Sequence, residues 1–114
     1  MNGFICHFDI PAREPEKTAE FYKKIFEWKI DTTSFPGYHA IETSKPPGGG
    51  IEKRDPFTPG ILVYIQVDDI PSVLEKIKAS GGQVIKGKTE IPNIGYFGIF
   101  NDPDGNIIGL YSEK

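Results

Sequence analysis

The sequence predicts an α+β fold built from two tandem β-α-β-β-β modules. Three observations carry that prediction. A five-part pattern of apolar runs and turn residues occurs twice, from about Phe4 to Lys53 and from about Gly60 to Lys114. Each copy holds one helix-period segment among short strand-like segments, which points to α+β rather than to a doubly wound parallel sheet. Between the copies lies Arg54-Asp55-Pro56-Phe57-Thr58-Pro59, a short connector with two prolines, of the length that links halves of one domain. The 114 residues therefore read as a single domain, with module one over 4–53, the connector over 54–59 and module two over 60–114.

The first strand is Phe4–Ile10, an apolar segment interrupted by His7 and Asp9. Pro15 opens the first helix, because its missing N–H would be unpaired in a first turn anyway. Glu14 and Glu16 suit the positive end of the helix dipole, and Lys23 and Lys24 the negative end. Thr18, Tyr22, Ile25 and Phe26 fall at i, i+4, i+7 and i+8, a spacing that predicts one buried stripe. Trp28–Asp31 and Gly37–Glu42 follow as strands, joined by a loop over Thr32–Gly37; after a turn at Ser44–Pro47 comes Gly49–Glu52.

In the second copy the first strand is Ile61–Val67. Asp69 is the expected N-cap of the second helix, with Pro71 in its first turn. Val73, Leu74 and Ile77 form its stripe, and Gly81-Gly82 ends it, glycine being at ease in the left-handed cap conformation. Gln83–Ile85 and Gly95–Phe100 are the next strands, with a loop over Glu90–Gly95. Both third strands open with Gly-Tyr. Asp102-Pro103-Asp104-Gly105-Asn106 predicts a hairpin turn in which Asp-Gly supplies positive φ, and Ile107–Tyr111 is the last strand.

Composition narrows the function. Lys and Arg number 13 against 16 Asp and Glu, so the chain carries a formal charge of −3, which argues against a nucleic-acid partner. The longest apolar run, Ile61–Ile65, is far short of a membrane span, and Met1-Asn2-Gly3 has no basic leader character. A soluble cytoplasmic protein with no membrane partner is the expectation. One cysteine, Cys6, excludes an internal disulfide and a cysteine-based zinc site. Gly48-Gly49-Gly50 precedes a strand rather than a helix, so it does not read as a phosphate loop.

His7 on the first strand, Glu20-Phe21-Tyr22 on the helix, Glu27-Trp28 after it, the Gly81-Gly82 helix end and the Asp102–Asn106 turn together resemble the vicinal oxygen chelate superfamily, which includes glyoxalase I, bleomycin-resistance proteins and extradiol dioxygenases. The resemblance covers nearly the whole chain. It implies a curved, incompletely closed eight-stranded barrel whose concave face holds a small-molecule cavity, and often a homodimer. It also implies a divalent ion held from the first and last strand of each module. Those four positions here are His7, Gly50, Leu62 and Gly109, so only one carries a ligand. Catalytic metal sites usually take three protein ligands. No metal or other cofactor is therefore expected, unless a non-standard site forms around His7.

Glu52 shares the strand face of Gly50, and Asp9 that of His7, so His7, Asp9 and Glu52 form the alternative donor set; the run Glu52-Lys53-Arg54-Asp55 reads instead as a solvated strand end. Parity puts Ile5, His7 and Asp9 on one face and Cys6, Phe8 and Ile10 on the other. His7 is the candidate acid/base, imidazole being the side chain most often used for that work, and Asp9 its candidate orienting partner. Tyr64, Gln66 and Leu62, with Gly50 and Gly109, are the candidate ligand-lining residues. The glycines are expected to leave room where metal ligands would stand. His39 reads as surface or packing, and Cys6 faces away from His7. Two functions follow from the resemblance: a metal-free, glyoxalase-like lyase or isomerase using His7, or a resistance-type protein that sequesters a small molecule.

Overall fold

A computed structural model describes residues 3–56 and 59–114. Met1, Asn2 and the connector residues Phe57 and Thr58 lie outside the described residues. The elements are β1 (Phe4–Ala12), α1 (Pro15–Phe26), β2 (Lys29–Phe35), β3 (Tyr38–Glu42), β4 (Gly48–Lys53), β5 (Leu62–Gln66), α2 (Ile70–Ala79), β6 (Gln83–Ile91), β7 (Gly95–Asn101) and β8 (Ile107–Ser112). This is the predicted β-α-β-β-β order, twice. Chain contacts gather into two compact units. One unit, His7–Leu62, holds most of the first module; the other joins Gly3–Cys6 with Val63–Lys114 and holds the second module from Val63 on.

The first module orders its strands β2-β3-β4-β1, with β1 parallel to β4 and β3 antiparallel to both its neighbours. Its core gathers Ala12, Ala19, Ile30, Ile41 and Ile51, with Phe8, Ile10, Tyr22 and Trp28 packed against them. Tyr22 stacks on Trp28 at 5.1 Å between ring centroids. Pro15 does open α1. Its buried stripe is not the predicted one: Pro15 and Ala19 are buried and Tyr22 is partly buried, whereas Ile25 and Phe26 are exposed. Residues 15, 19 and 22 also fall at i, i+4 and i+7, and the small Ala19 lets the helix approach the sheet where a larger residue would hold it off. Glu27 ends the helix in the left-handed conformation, φ 58°.

The loop expected over Thr32–Gly37 is mostly strand, because β2 runs on to Phe35 through an irregular register. Asp31 holds that irregularity. Its carboxylate accepts hydrogen bonds from the Thr33 and Ser34 amides at 3.0 and 3.1 Å. These bonds, with that of the Ser34 side chain foremost, lower the Asp31 pKa to about 2.

The second module orders its strands β5-β8-β7-β6, with β5 parallel to β8 and the rest antiparallel. Val67, Ile70, Leu74 and Leu110 form its core, joined by Val73, Ile77, Tyr96 and Phe100. The cap is as predicted: the Ser72 amide donates to Asp69 at 3.3 Å, and Gly81 takes φ +97° after the helix. Gly82 is needed for close approach, since a Cβ there would meet Ile77 and the Asn101 carbonyl at 2.6 and 2.7 Å. In the following turn Gly105 takes φ +90°, and Asp102 accepts from the Asn106 side chain and from the Asp104 and Asn106 amides. β6 extends to Ile91, so Glu90 and Ile91 belong to a strand rather than to the predicted loop. Among the described residues no helix is long and apolar enough to cross a membrane.

Candidate functional site

The helix-side core of the first module takes Phe8 and Ile10 from β1, so His7 and Asp9 point to the other face, as parity predicts. There the two side chains meet. His7 Nε2 lies 2.9 Å from Asp9 Oδ1. Tyr38, at the start of β3, completes a triangle: its hydroxyl lies 2.8 Å from His7 Nε2 and 2.9 Å from Asp9 Oδ1. Asp9 is only 5% exposed. A buried carboxylate needs donors, and the hydroxyl and the ring N–H supply two of them. One proton arrangement satisfies all three atoms: Tyr38 O–H and His7 Nε2–H both donate to Asp9 Oδ1.

Tyr38 was not singled out by the sequence reading. Its signal lay in the register. Ala40 pairs with Gly50, and Asp9 also pairs with Gly50, which places Tyr38 diagonally across from Gly50 on the same face. The Tyr38 ring lies directly over Gly50, where a Cβ would collide with its hydroxyl. The expectation that Gly50 leaves open room is therefore corrected: the space is filled by Tyr38. Gly109 is the same case. A Cβ there would collide with the ring of Tyr64, its register partner on β5.

Register also corrects the apparent Gly-Tyr repeat. Gly50 pairs with Ala40, and Gly109 pairs with Ile99. Counting back two residues, Tyr38 corresponds to Phe97, one place beyond Tyr96. Tyr96 packs in the helix-side core. By the same count Asp9 corresponds to Tyr64 and His7 to Leu62.

Ile65 and Val67 pack on the α2 side, which leaves Tyr64 and Gln66 on the opposite face of the second module. Leu62 is buried. His39 is packing rather than surface: it is 2% exposed on the α1 side, and neither ring nitrogen has a hydrogen-bond partner. Glu16 Oε1 is 3.6 Å from its Nε2. Burial pushes the Cys6 thiol pKa up, which disfavours the nucleophilic thiolate. An open depression of about 320 Å³ lies on β2 and β3, lined by Lys29, Ile30, Asp31, Ala40, Ile41 and Glu42, and no predicted site residue lines it.

The side chains do not fit a divalent ion in the manner the resemblance implies. Gly50 and Gly109 offer no ligand and are covered by tyrosine rings. Glu52 stands near the end of β4, half-exposed beside the exposed Lys53 and ion-paired with Arg54, whose guanidinium also donates to the Pro59 and Gly60 carbonyls. Among the described residues no three His, Cys, Asp or Glu side chains come together as a metal site would require.

Comparison with known proteins agrees with this architecture. A glyoxylase-like domain-containing protein of Didymella fabae is 29% identical over 119 residues, covering 93% of this chain and 91% of that protein. The anthracycline biosynthesis protein DnrV of Streptomyces peucetius is 26% identical over 132 residues, covering 97% of this chain. The chain spans 47% of the length of that Streptomyces relative and 44% of two mycobacterial ones. Among solved structures, a glyoxalase/bleomycin resistance protein/dioxygenase superfamily member from Vibrio splendidus shares the fold, with a TM-score of 0.70 at 12% identity over 97% of this chain and 99% of that one. The sequence model of one family matches residues 5–110, and by that match the chain belongs to the Glyoxalase/Bleomycin resistance protein/Dioxygenase superfamily.

Proposed function

We propose that the chain binds a small oxygenated molecule on the open face of its first module and moves a proton on it with His7, without a divalent ion in the step. The observation that supports this reading is the three-way contact of His7, Asp9 and Tyr38. Asp9 is the fixed point. It accepts from the ring whether His7 is neutral or charged, so gaining a proton does not uncouple the two side chains. Tyr38 holds Asp9 from the second side and limits the rotamers open to the carboxylate. A ring held in this way can act on a carbon acid, a C–H beside a carbonyl, where a positioned acid/base contributes about 10²–10⁴-fold.

Deuterium incorporation into a panel of small ketones and thioesters, followed by proton NMR in D2O with chelator present, tests the reading. Exchange that survives chelation, falls at least 100-fold in His7→Ala and falls about tenfold in Tyr38→Phe is the expected result. Exchange abolished by chelation and restored by a divalent ion would overturn it, and so would an unchanged His7→Ala. The tyrosines laid over Gly50 and Gly109 favour a second reading, in which the same faces sequester a ligand without chemistry. Ligand binding with no exchange in any variant would decide for that one.

A further inference from the structure

The second module presents a different chemistry at the positions equivalent to the polar trio. Where the first module has His7, Asp9 and Tyr38, the second has Leu62, Tyr64 and Phe97. The rings on this face are laid flat by glycine. Tyr64 on β5 lies over Gly109 on β8, its neighbouring strand. Tyr111 on β8 leans in turn over Gly95 on β7, whose Cβ would stand 2.9 Å from the Tyr111 hydroxyl. That hydroxyl is tied down by donating to the Ile94 carbonyl at 3.1 Å. Phe97 pairs with Tyr111 in register and continues the surface.

Lys86 closes this surface. The register runs Tyr64, Gly109, Ile99, Lys86 across the four strands, so Lys86 ends the row that Tyr64 begins. Its ammonium sits 5.8 Å from the centroid of the Phe97 ring. Among the described residues no carboxylate pairs with it. Three strand spacings make the face about 14 Å wide, and two residues along a strand make it about 7 Å deep. Tyr64, Phe97 and Tyr111 are all half-buried, so each still presents area to a ligand.

We infer that this face of the second module binds a planar aromatic carboxylate of two or three fused rings. The rings of such a ligand lie on the tyrosine–phenylalanine floor, and its carboxylate meets Lys86. Aromatic pairs favour offset stacking, and the ammonium makes the pairing selective for an anion. The inference goes beyond the proton-transfer reading and does not depend on it.

Titration of 2-naphthoate, against its neutral isostere 2-naphthamide, tests the inference by amide and side-chain NMR. The expected result is naphthoate-induced shifts at Phe97, Tyr111 and Lys86. Lys86→Gln should weaken naphthoate about tenfold, as loss of one charge contact would, and leave naphthamide unchanged. Phe97→Leu should weaken both ligands, and His7→Ala neither. Shifts confined to residues 7–62, equal loss of both ligands in Lys86→Gln, or no binding of naphthoate would each overturn it. Backbone spectra of Lys86→Gln, an exposed substitution, report its folding directly.

Discussion

The residues that decide the chemistry here are paired with glycines. At Gly50 and Gly109 the tyrosine rings lie so close to the strand that a Cβ has no room beneath them, so Gly50 is matched to Tyr38 and Gly109 to Tyr64. Adding a methyl group at Gly109 must lift the whole Tyr64 ring, because the colliding atoms are in the ring body. Gly109→Ala should therefore cost about 1–3 kcal/mol, the usual cost of overpacking. Gly87 is the control. Nothing lies within 4 Å of a Cβ built there, and it sits in the interior of β6. Gly87→Ala should stabilise by about 0.4–1 kcal/mol through the unfolded chain. Chemical denaturation of both variants checks the pair; similar effects of the two would show that the ring contacts carry no weight. At this scale the sequence was half legible. Parity alone put His7 beside Asp9, because residues two apart on a strand share a face. Tyr38 was hidden, because its contact depends on which residue of β3 faces which residue of β4. The misleading Gly-Tyr repeat at 37–38 and 95–96 made that register harder to read.

Among the elements, β2 is held by a side chain as well as by its ladder. Asp31 gathers the amides of Thr33 and Ser34 where the β2–β3 register shifts. Its pKa falls from 3.8 unfolded to about 2 folded. A depressed carboxylate contributes stability that is full above its unfolded pKa and is lost as pH falls through the folded one. The contribution should be complete above pH 3.8 and fade toward pH 2. Asp31→Ala should melt below wild type at neutral pH, and the difference should close as pH drops through that window. Thermal melts between pH 7 and 2 check it; a gap that stays constant across the range would assign the effect to something other than ionisation. The sequence identified both helices because caps and prolines are local signals. It misjudged the buried stripe of α1 because two apolar spacings competed, and only packing against the sheet chose Ala19 over Ile25 and Phe26. The two loops that became strand were missed for a related reason. Gly37 and Pro36 in the first, and Pro92 and Gly95 in the second, are turn signals that outweighed the β-branched Thr32, Thr33 and Ile91 beside them.

At the level of the whole molecule, each module has its own apolar centre. Ile51 is fully buried in one and Ile70 in the other. Truncating either to Ala should cost about 2–5 kcal/mol, the range for a large-to-small core change. Hydrogen exchange should report the loss locally: Ile51→Ala loosens amides of β3 and β4 first, and Ile70→Ala those of α2, β7 and β8. Identical acceleration at every amide in both variants would argue for one indivisible cooperative unit. The doubled architecture was the most legible feature of all, since a repeated order of elements needs no knowledge of side-chain contacts. The tyrosine–glycine interlock then has a consequence for how this chain can change over generations. A single-nucleotide substitution turns many glycine codons into one for aspartate or glutamate, so an acidic ligand at position 50 or 109 looks one mutation away. In this chain that mutation would land beneath an aromatic ring, and the lineage would have to surrender the tyrosine before the acid could be accommodated.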